Sequence, residues 1–265
     1  IDRLKNFRVL DPACGSGNFL YLSLIALKNI EHRVGIESEA LGLQRTFPSV
    51  SPQVVKGIEI NTFAAELARV TIWIGEIQWM LNHGYGLNDN PVLKPLGNIM
   101  CHDALINPDG SEYDWPEADV IIGNPPFLGG SKMLKELGDD YTTKIRTLYS
   151  DRVPGGADLV AYWFAKASDI LLQREVYIGF VSTQAIRNVK NRAVLESIVK
   201  QGQIYNVLSD EPWVNEGAAV RVSYVCSSSK NKDLEVLLDG KKTLSINSML
   251  QSAGMDFTKV EKLPS

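Results

Sequence analysis

Asn124-Pro125-Pro126-Phe127 is the stretch of this sequence whose residue types suit chemistry on a conjugated amine. The exocyclic amine of a purine such as adenine is a poor nucleophile, because its lone pair is delocalised into the ring. Two acceptors on its two N–H bonds draw the nitrogen toward a tetrahedral state and stabilise the positive charge that develops during transfer. The Asn124 side-chain oxygen supplies one acceptor. The Pro125 carbonyl supplies the other, since proline has no N–H to compete. Consecutive prolines hold Asn124 and Pro125 extended, so both acceptors are preorganised. Phe127 offers a ring face to an extruded base, where stacking is worth roughly 1–3 kcal/mol and offsets part of an extrusion cost of a few kcal/mol. Asn-Pro also marks ordinary turns, so the tetrapeptide gains weight only from the motifs ahead of it.

The first of these is Asp11-Pro12-Ala13-Cys14-Gly15-Ser16-Gly17-Asn18-Phe19-Leu20, which follows an apolar strand and opens a helix. Gly15 and Gly17 allow a tight turn and a close ligand approach, with helix N–H groups free to bind. A dinucleotide fingerprint wants a further glycine where Leu20 stands. Asp11 would repel a pyrophosphate yet suits a methionine ammonium. A ribose calls for an acidic residue after the second strand, and two Gly-Ile-Glu tripeptides compete, ending in Glu37 and Glu59. Glu37 lies in the charged run from Glu31 to Glu39, which reads as a solvated helix. Glu59 ends a proper strand, with Ile60 beside it and a helix behind. Glu59 is preferred. His102 and Asp103 close a third short strand, where Asp103 can act as a helix N-cap before Ala104 and Leu105.

These residues sit on alternating strands and helices. Strands are expected at Phe7–Leu10, Gln53–Ile60, Asn98–Cys101, Ala118–Gly123, Glu175–Val181, Ile204–Leu208 and Val220–Cys226. Helices are expected at Asn18–Ile30, Thr62–Asn82, Asp158–Leu172 and Arg192–Gln201, with Ala64, Leu67, Ala68, Ile72 and Gly75 as the buried stripe of the second. Such alternation implies an α/β fold, a parallel sheet with helices on both faces. The stretches Asn82–Leu96 and Gly129–Gly156 read as loops. Residues 1–250 form one domain, and 251–265 a tail or the start of a linker. The chain of 265 residues begins at Ile1 without an initiator Met, which reads as a piece of a longer polypeptide. Hydrophobic residues make up 45% and charged residues 22%, and no apolar run is long enough for a membrane span. Three scattered cysteines fit neither a disulfide framework nor a metal site, so a reducing cytoplasm is expected. A net charge of -4 argues against a surface that coats nucleic acid generally.

From Asp11 to about Cys226 the sequence resembles class I S-adenosylmethionine-dependent DNA amino-methyltransferases. The closest wording is to the methyltransferase core of single-chain type II (IIG/IIL) restriction–modification enzymes. Asn124-Pro125-Pro126-Phe127-Leu128-Gly129-Gly130-Ser131-Lys132 and Val153-Pro154-Gly155-Gly156-Ala157-Asp158-Leu159-Val160 carry that likeness. The resemblance implies a doubly wound, mostly parallel seven-stranded sheet of Rossmann-like class I methyltransferase type. It implies S-adenosylmethionine held by Asp11, Pro12, Ala13, Cys14, Gly15, Gly17, Asn18, Phe19, Glu59, Ile60, Asp103 and Ala104, with catalysis at Asn124, Pro125, Pro126 and Phe127. It also implies double-stranded DNA as partner, with target-recognition and possibly nuclease domains in the same native chain. Asn124 tilts the substrate toward adenine, since cytosine amino-methyltransferases of similar build more often carry Ser there. A carbon-5 cytosine enzyme needs a Pro-Cys nucleophile, and no Cys here follows a Pro. The rivals are methylation of a protein glutamine or of RNA, and a non-catalytic cofactor-binding or DNA-specificity module.

Softer features remain. Gly129-Gly130-Ser131-Lys132 reads as a mobile lid or a plain flexible loop. Asp158 reads as an N-cap, and Tyr162, Trp163 and Phe164 mainly as core. Arg187, Lys190 and Arg192 either meet phosphates or form a solvated helix end.

Overall fold

The computed structural model describes residues 2–44, 47–86, 96–215, 218–229 and 233–253. Most of the expected tail, and part of the expected 82–96 loop, lie outside the described residues. The chain divides into two compact units, Ile1–Pro126 and Phe127–Ser265.

The first unit contains α1 (Asp2–Asn6), β1 (Val9–Asp11), α2 (Asn18–Ala40), β2 (Val55–Glu59), α3 (Thr62–Asn82), β3 (Ile99–Cys101) and β4 (Val120–Gly123). Its strands run in the order β3-β2-β1-β4 and are parallel, with Asp11 opposite Gly57 and Glu59 opposite Cys101. Successive strands move outward from β1 to β3, and the chain then returns to the other side of β1. That reversal creates a switch point at β1 and β4, and ligands of α/β sheets gather outside the carboxyl ends of strands there.

Helix α3 has the limits its periodicity predicts. Asn61 caps it, accepting the Ala64 N–H at 3.0 Å. Its buried stripe is Ala65, Ala68, Ile72, Gly75 and Trp79, while Leu67 is 41% exposed. Ala68, Ile72 and Gly75 are buried as expected, whereas Ala65 takes the buried place expected of Ala64. Gly75 is required where α2 crosses, because a Cβ there would lie 2.6 Å from Cε2 of Tyr21.

Helix α2 continues to Ala40 rather than ending near Ile30, and its charged end is not wholly solvated. Glu31 is buried and accepts the backbone N–H groups of Ser49 at 2.8 Å and Val50 at 3.0 Å. Lys28, fully buried, donates to the Val50 carbonyl and to Glu76, each at 2.9 Å. Burial pushes the Glu76 carboxyl up, and Lys28 opposes that rise. These buried charges persist because Lys28 and Glu76 are paired and Glu31 is answered by backbone and hydroxyl donors, and they fasten the segment that leads into β2.

The second unit contains α4 (Met133–Leu137), α5 (Asp139–Leu148), α6 (Val160–Gln173), β5 (Tyr177–Thr183), α7 (Val189–Gln201), β6 (Gly202–Asn215), β7 (Ala218–Ser229), β8 (Leu237–Leu238) and β9 (Lys241–Lys242). Its strand order is β5-β7-β6-β8-β9, with β7 antiparallel to both neighbours. Tyr162, Trp163 and Phe164 on α6 are all buried. Two departures from expectation stand out. Gly129–Gly156 holds two helices rather than a continuous loop, and the described residues hold nine strands rather than seven. The extra pair is the β8–β9 hairpin, which extends the free edge of β6.

Candidate active site

The first unit gathers the cofactor candidates at the carboxyl ends of its strands. Gly15 and Gly17 have φ of 52° and 86°, left-handed values that favour glycine. Gly17 also packs the start of α2 onto α3, since a Cβ there would lie 3.0 Å from Cα of Ala68. Gly17 occupies the α2 N-cap and supplies no side-chain acceptor, so the first-turn N–H groups face outward unanswered by a cap. Asn18 is exposed, and Phe19 is half-buried.

Asp11 closes β1 with 1% exposure and accepts the Ala13 N–H at 3.0 Å. Burial, with a smaller contribution from nearby Glu59, pushes its carboxyl up to about 7, although the Ala13 bond opposes the rise. Gly123, ending β4, makes room for this carboxylate, because a Cβ there would sit 2.6 Å from Asp11 Oδ1. Pro12 is buried beside it, as is Cys14, whose thiol burial holds well above the usual range.

Glu59 closes β2 and links two turns. One carboxylate oxygen accepts the Gly15 N–H at 2.9 Å, and the other accepts the Asn61 N–H at 2.8 Å. Ile60 beside it is 66% exposed. Glu37, by contrast, is exposed on α2 and pairs with Arg33 at 3.0 Å. At the end of β3, Asp103 Oδ1 accepts the N–H groups of Leu105 at 2.7 Å and Ile106 at 3.3 Å. No helix follows, so this is a turn rather than a helix cap. Ala104 is buried, and its carbonyl accepts Trp115 Nε1 at 2.7 Å. His102 stacks on Tyr113 with ring centroids 4.1 Å apart.

Asn124 follows β4, and its side-chain oxygen is buried without a hydrogen-bond partner. A buried acceptor left unanswered costs free energy unless a donor arrives. Pro125 is buried and Pro126 exposed. Phe127, at the start of the second unit, is 36% exposed.

Beyond Phe127 the glycine segment, which the sequence offers as a mobile lid or a plain flexible loop, is tied by hydrogen bonds to the 156–159 segment and to Arg146. The Leu128 carbonyl accepts the Leu159 N–H at 2.8 Å, and the Gly130 N–H donates to Asp158 Oδ1 at 3.0 Å. The Gly130 carbonyl accepts Arg146 Nη2 at 2.8 Å, and a Cβ on Gly130 would lie 2.5 Å from the Ala157 carbonyl oxygen. Asp158 therefore braces this segment instead of capping α6. Asn191, buried on α7, completes the brace: Nδ2 donates to Asp158 Oδ2 at 2.7 Å, and Oδ1 accepts the Asp158 N–H at 2.8 Å. Sequence reasoning missed Asn191, Arg146, Lys28 and Glu31. Each acts across a long sequence separation that leaves no local pattern.

The fold is Rossmann-like and is shared with methyltransferases of restriction–modification systems. The chain belongs to the MmeI DNA-methyltransferase domain family, whose profile matches residues 1–238. Among curated relatives, it is 27% identical over 232 residues to DNA methyltransferase A of Bacillus subtilis (strain 168), covering 81% of this chain and 25% of that protein. It is 26% identical over 242 residues to the type II methyltransferase M.BstVI of Geobacillus stearothermophilus, covering 88% of this chain and 39% of that one. The type IIL restriction-modification enzyme MmeI, solved in complex with DNA, matches with a TM-score of 0.77 and 25% identity, over 96% of this chain and 36% of that chain. The M protein of the type I restriction enzyme EcoKI shares the fold, with a TM-score of 0.54 and 15% identity over 88% of this chain and 43% of that one. The chain thus spans between 25% and 39% of the length of these two curated relatives.

Proposed function

We propose that this chain is the catalytic core of an S-adenosylmethionine-dependent DNA methyltransferase that modifies the exocyclic amine of an adenine turned out of duplex DNA. It serves as the modification part of a restriction–modification enzyme. The observation that carries this reading is the Asn124 side-chain oxygen, buried and unpartnered directly after β4. An amine N–H is the donor such an acceptor lacks.

The donor set of the first unit fits S-adenosylmethionine. Asp11 and Glu59 supply carboxylates for an ammonium and for ribose hydroxyls, the Gly15–Gly17 turn allows close approach, and Asp103 with Ala104 borders the adenine side. The same reading assigns Pro12, Ala13, Cys14, Asn18, Phe19 and Ile60 to the cofactor. When bound, the cofactor supplies an electrophilic methyl group. Asn124 and the Pro125 carbonyl accept the two amine N–H bonds, so the nitrogen lone pair is freed from the ring and the growing positive charge is stabilised. Pro126 fixes the extended geometry, and Phe127 stacks on the extruded base. Sequence selection, and any nuclease activity, belong to other domains of the native polypeptide, and the cytoplasm is where it works. Residues 1–250 form the methyltransferase domain, and 251–265 the link onward. No helix among the described residues is long and apolar enough to cross a membrane.

The test is Asn124→Ala in the full native chain, with labelled cofactor and duplex DNA. Removing a charge-stabilising acceptor should lower methyl transfer by about 10²–10³-fold, while cofactor-induced thermal stabilisation persists. N6-methyladenine should be the only modified nucleoside in a digest of the product. Unchanged transfer by the variant, or methylcytosine in the digest, would sink the reading.

A further inference from the structure

Within the second unit, β5 delivers the turn Gln184–Arg187 from its carboxyl end, and α7 starts immediately after it. A cavity of about 580 Å³ opens there, lined by Gln184, Arg187, Asn188, Arg192, Met249 and Gln251, with Ala185 as its remaining wall. None of these residues is acidic. The sequence cluster Arg187, Lys190 and Arg192 is therefore split by the fold: the two arginines share the cavity, while Lys190 Nζ lies against Gly156.

The donors in this cavity are largely uncommitted. Arg192 gives its Nε to Glu196 at 3.1 Å, which leaves its two terminal nitrogens available. Arg187 makes a long contact of 3.3 Å to the Gln184 side chain. Asp210, the carboxylate that senses Arg187, takes its main partner from Arg221 instead. Asn188 stands at the N-cap of the 13-residue helix α7 without a side-chain capping bond, so first-turn N–H groups add positive potential. The elbow is also rigid, because buried Asn191 donates to the Ala185 carbonyl at 2.9 Å as well as to Asp158.

We infer that this cavity is a phosphate-backbone contact, in which Arg187 and Arg192 take a phosphodiester of the nucleic acid substrate. A guanidinium fork matches phosphate oxygens, amide side chains add neutral donors, and no carboxylate lines the cavity to repel the anion. On a chain with a net charge of -4, such a local site provides grip that overall charge does not. The inference rests on the nucleic acid reading of the substrate.

The experiment measures duplex affinity of the full native chain across a salt series, for wild type, Arg187→Ala/Arg192→Ala and the corresponding double Lys variant. Each lost phosphate contact should reduce the slope of log affinity against log salt by about 0.9, equally on any duplex sequence. The double Lys variant should recover most of the slope, and cofactor binding should be unaltered in both. Arg33→Ala, which removes an exposed cation on α2, should leave the slope unchanged. An unaltered slope in the double Ala variant overturns the inference. So does an Ala variant that loses only stabilisation by inorganic phosphate, since that outcome marks a free-anion site. If Asn124→Ala abolishes methylation while the arginine pair leaves the slope intact, the catalytic reading stands and this one falls. An altered slope in a protein that never methylates DNA has the opposite meaning.

Discussion

Asp11 is held buried against the Ala13 N–H with Glu59 nearby, and its carboxyl is pushed up to about 7 from an ordinary 3.8. The folded pKa lies above the unfolded one, so the folded protein binds more protons between the two values. Stability contributed by this group is fully present below about pH 4 and is lost as pH rises to about 7. Asp11→Asn keeps the acceptor for Ala13 and removes the titration. Melting temperatures of the ligand-free wild type should therefore fall relative to Asp11→Asn between about pH 4 and 7, then run parallel above. A cofactor ammonium favours the ionised carboxylate, so wild-type affinity should rise through the same window. Parallel melting profiles at every pH would show that Asp11 does not titrate there. Asn124 needs no titration. Its contribution is an acceptor kept from other donors, and an orphaned oxygen is visible only once the fold is known.

The braced segment after Phe127 makes a prediction at the level of elements. A Cβ on Gly130 meets two carbonyl oxygens of the 156–157 turn, whereas one on Gly129 comes no closer than 3.8 Å to Asp158 Oδ1. Gly130→Ala should destabilise the protein by about 1–3 kcal/mol through overpacking, and Gly129→Ala by less than about 0.5 kcal/mol, as read by chemical denaturation. Equal effects would mean that the segment yields freely. These elements also show what sequence alone could convey. Helix α3 was legible to both ends because its period is uninterrupted and Asn61 is a strong cap. The strand ends that carry Asp11, Glu59 and Asn124 were legible because an apolar run stops there at a polar residue. The far half of α2 was hidden by charges that read as solvated, although Glu31 is buried against Ser49 and Val50. Helices α4 and α5 were obscured by surrounding glycines. The Asp158–Asn191 brace spans 33 residues and has no periodic signature.

For the whole molecule, a net charge of -4 and the proposed duplex substrate together call for concentrated contacts, and the β5–α7 elbow is the place inferred for one of them. The two strands flanking the switch point are joined in a different way. Asp11 and Gly123 are far apart in sequence, yet the carboxylate fills the space that any side chain at 123 would need. Gly123→Ala should be costly beside Asp11 and much cheaper beside Asp11→Ala, with a coupling of about 0.5–3 kcal/mol in a double-mutant cycle. The pair should be inherited as a single unit: a lineage that kept the acid would have to keep the glycine, and one that lost the acid would be free to fill the space.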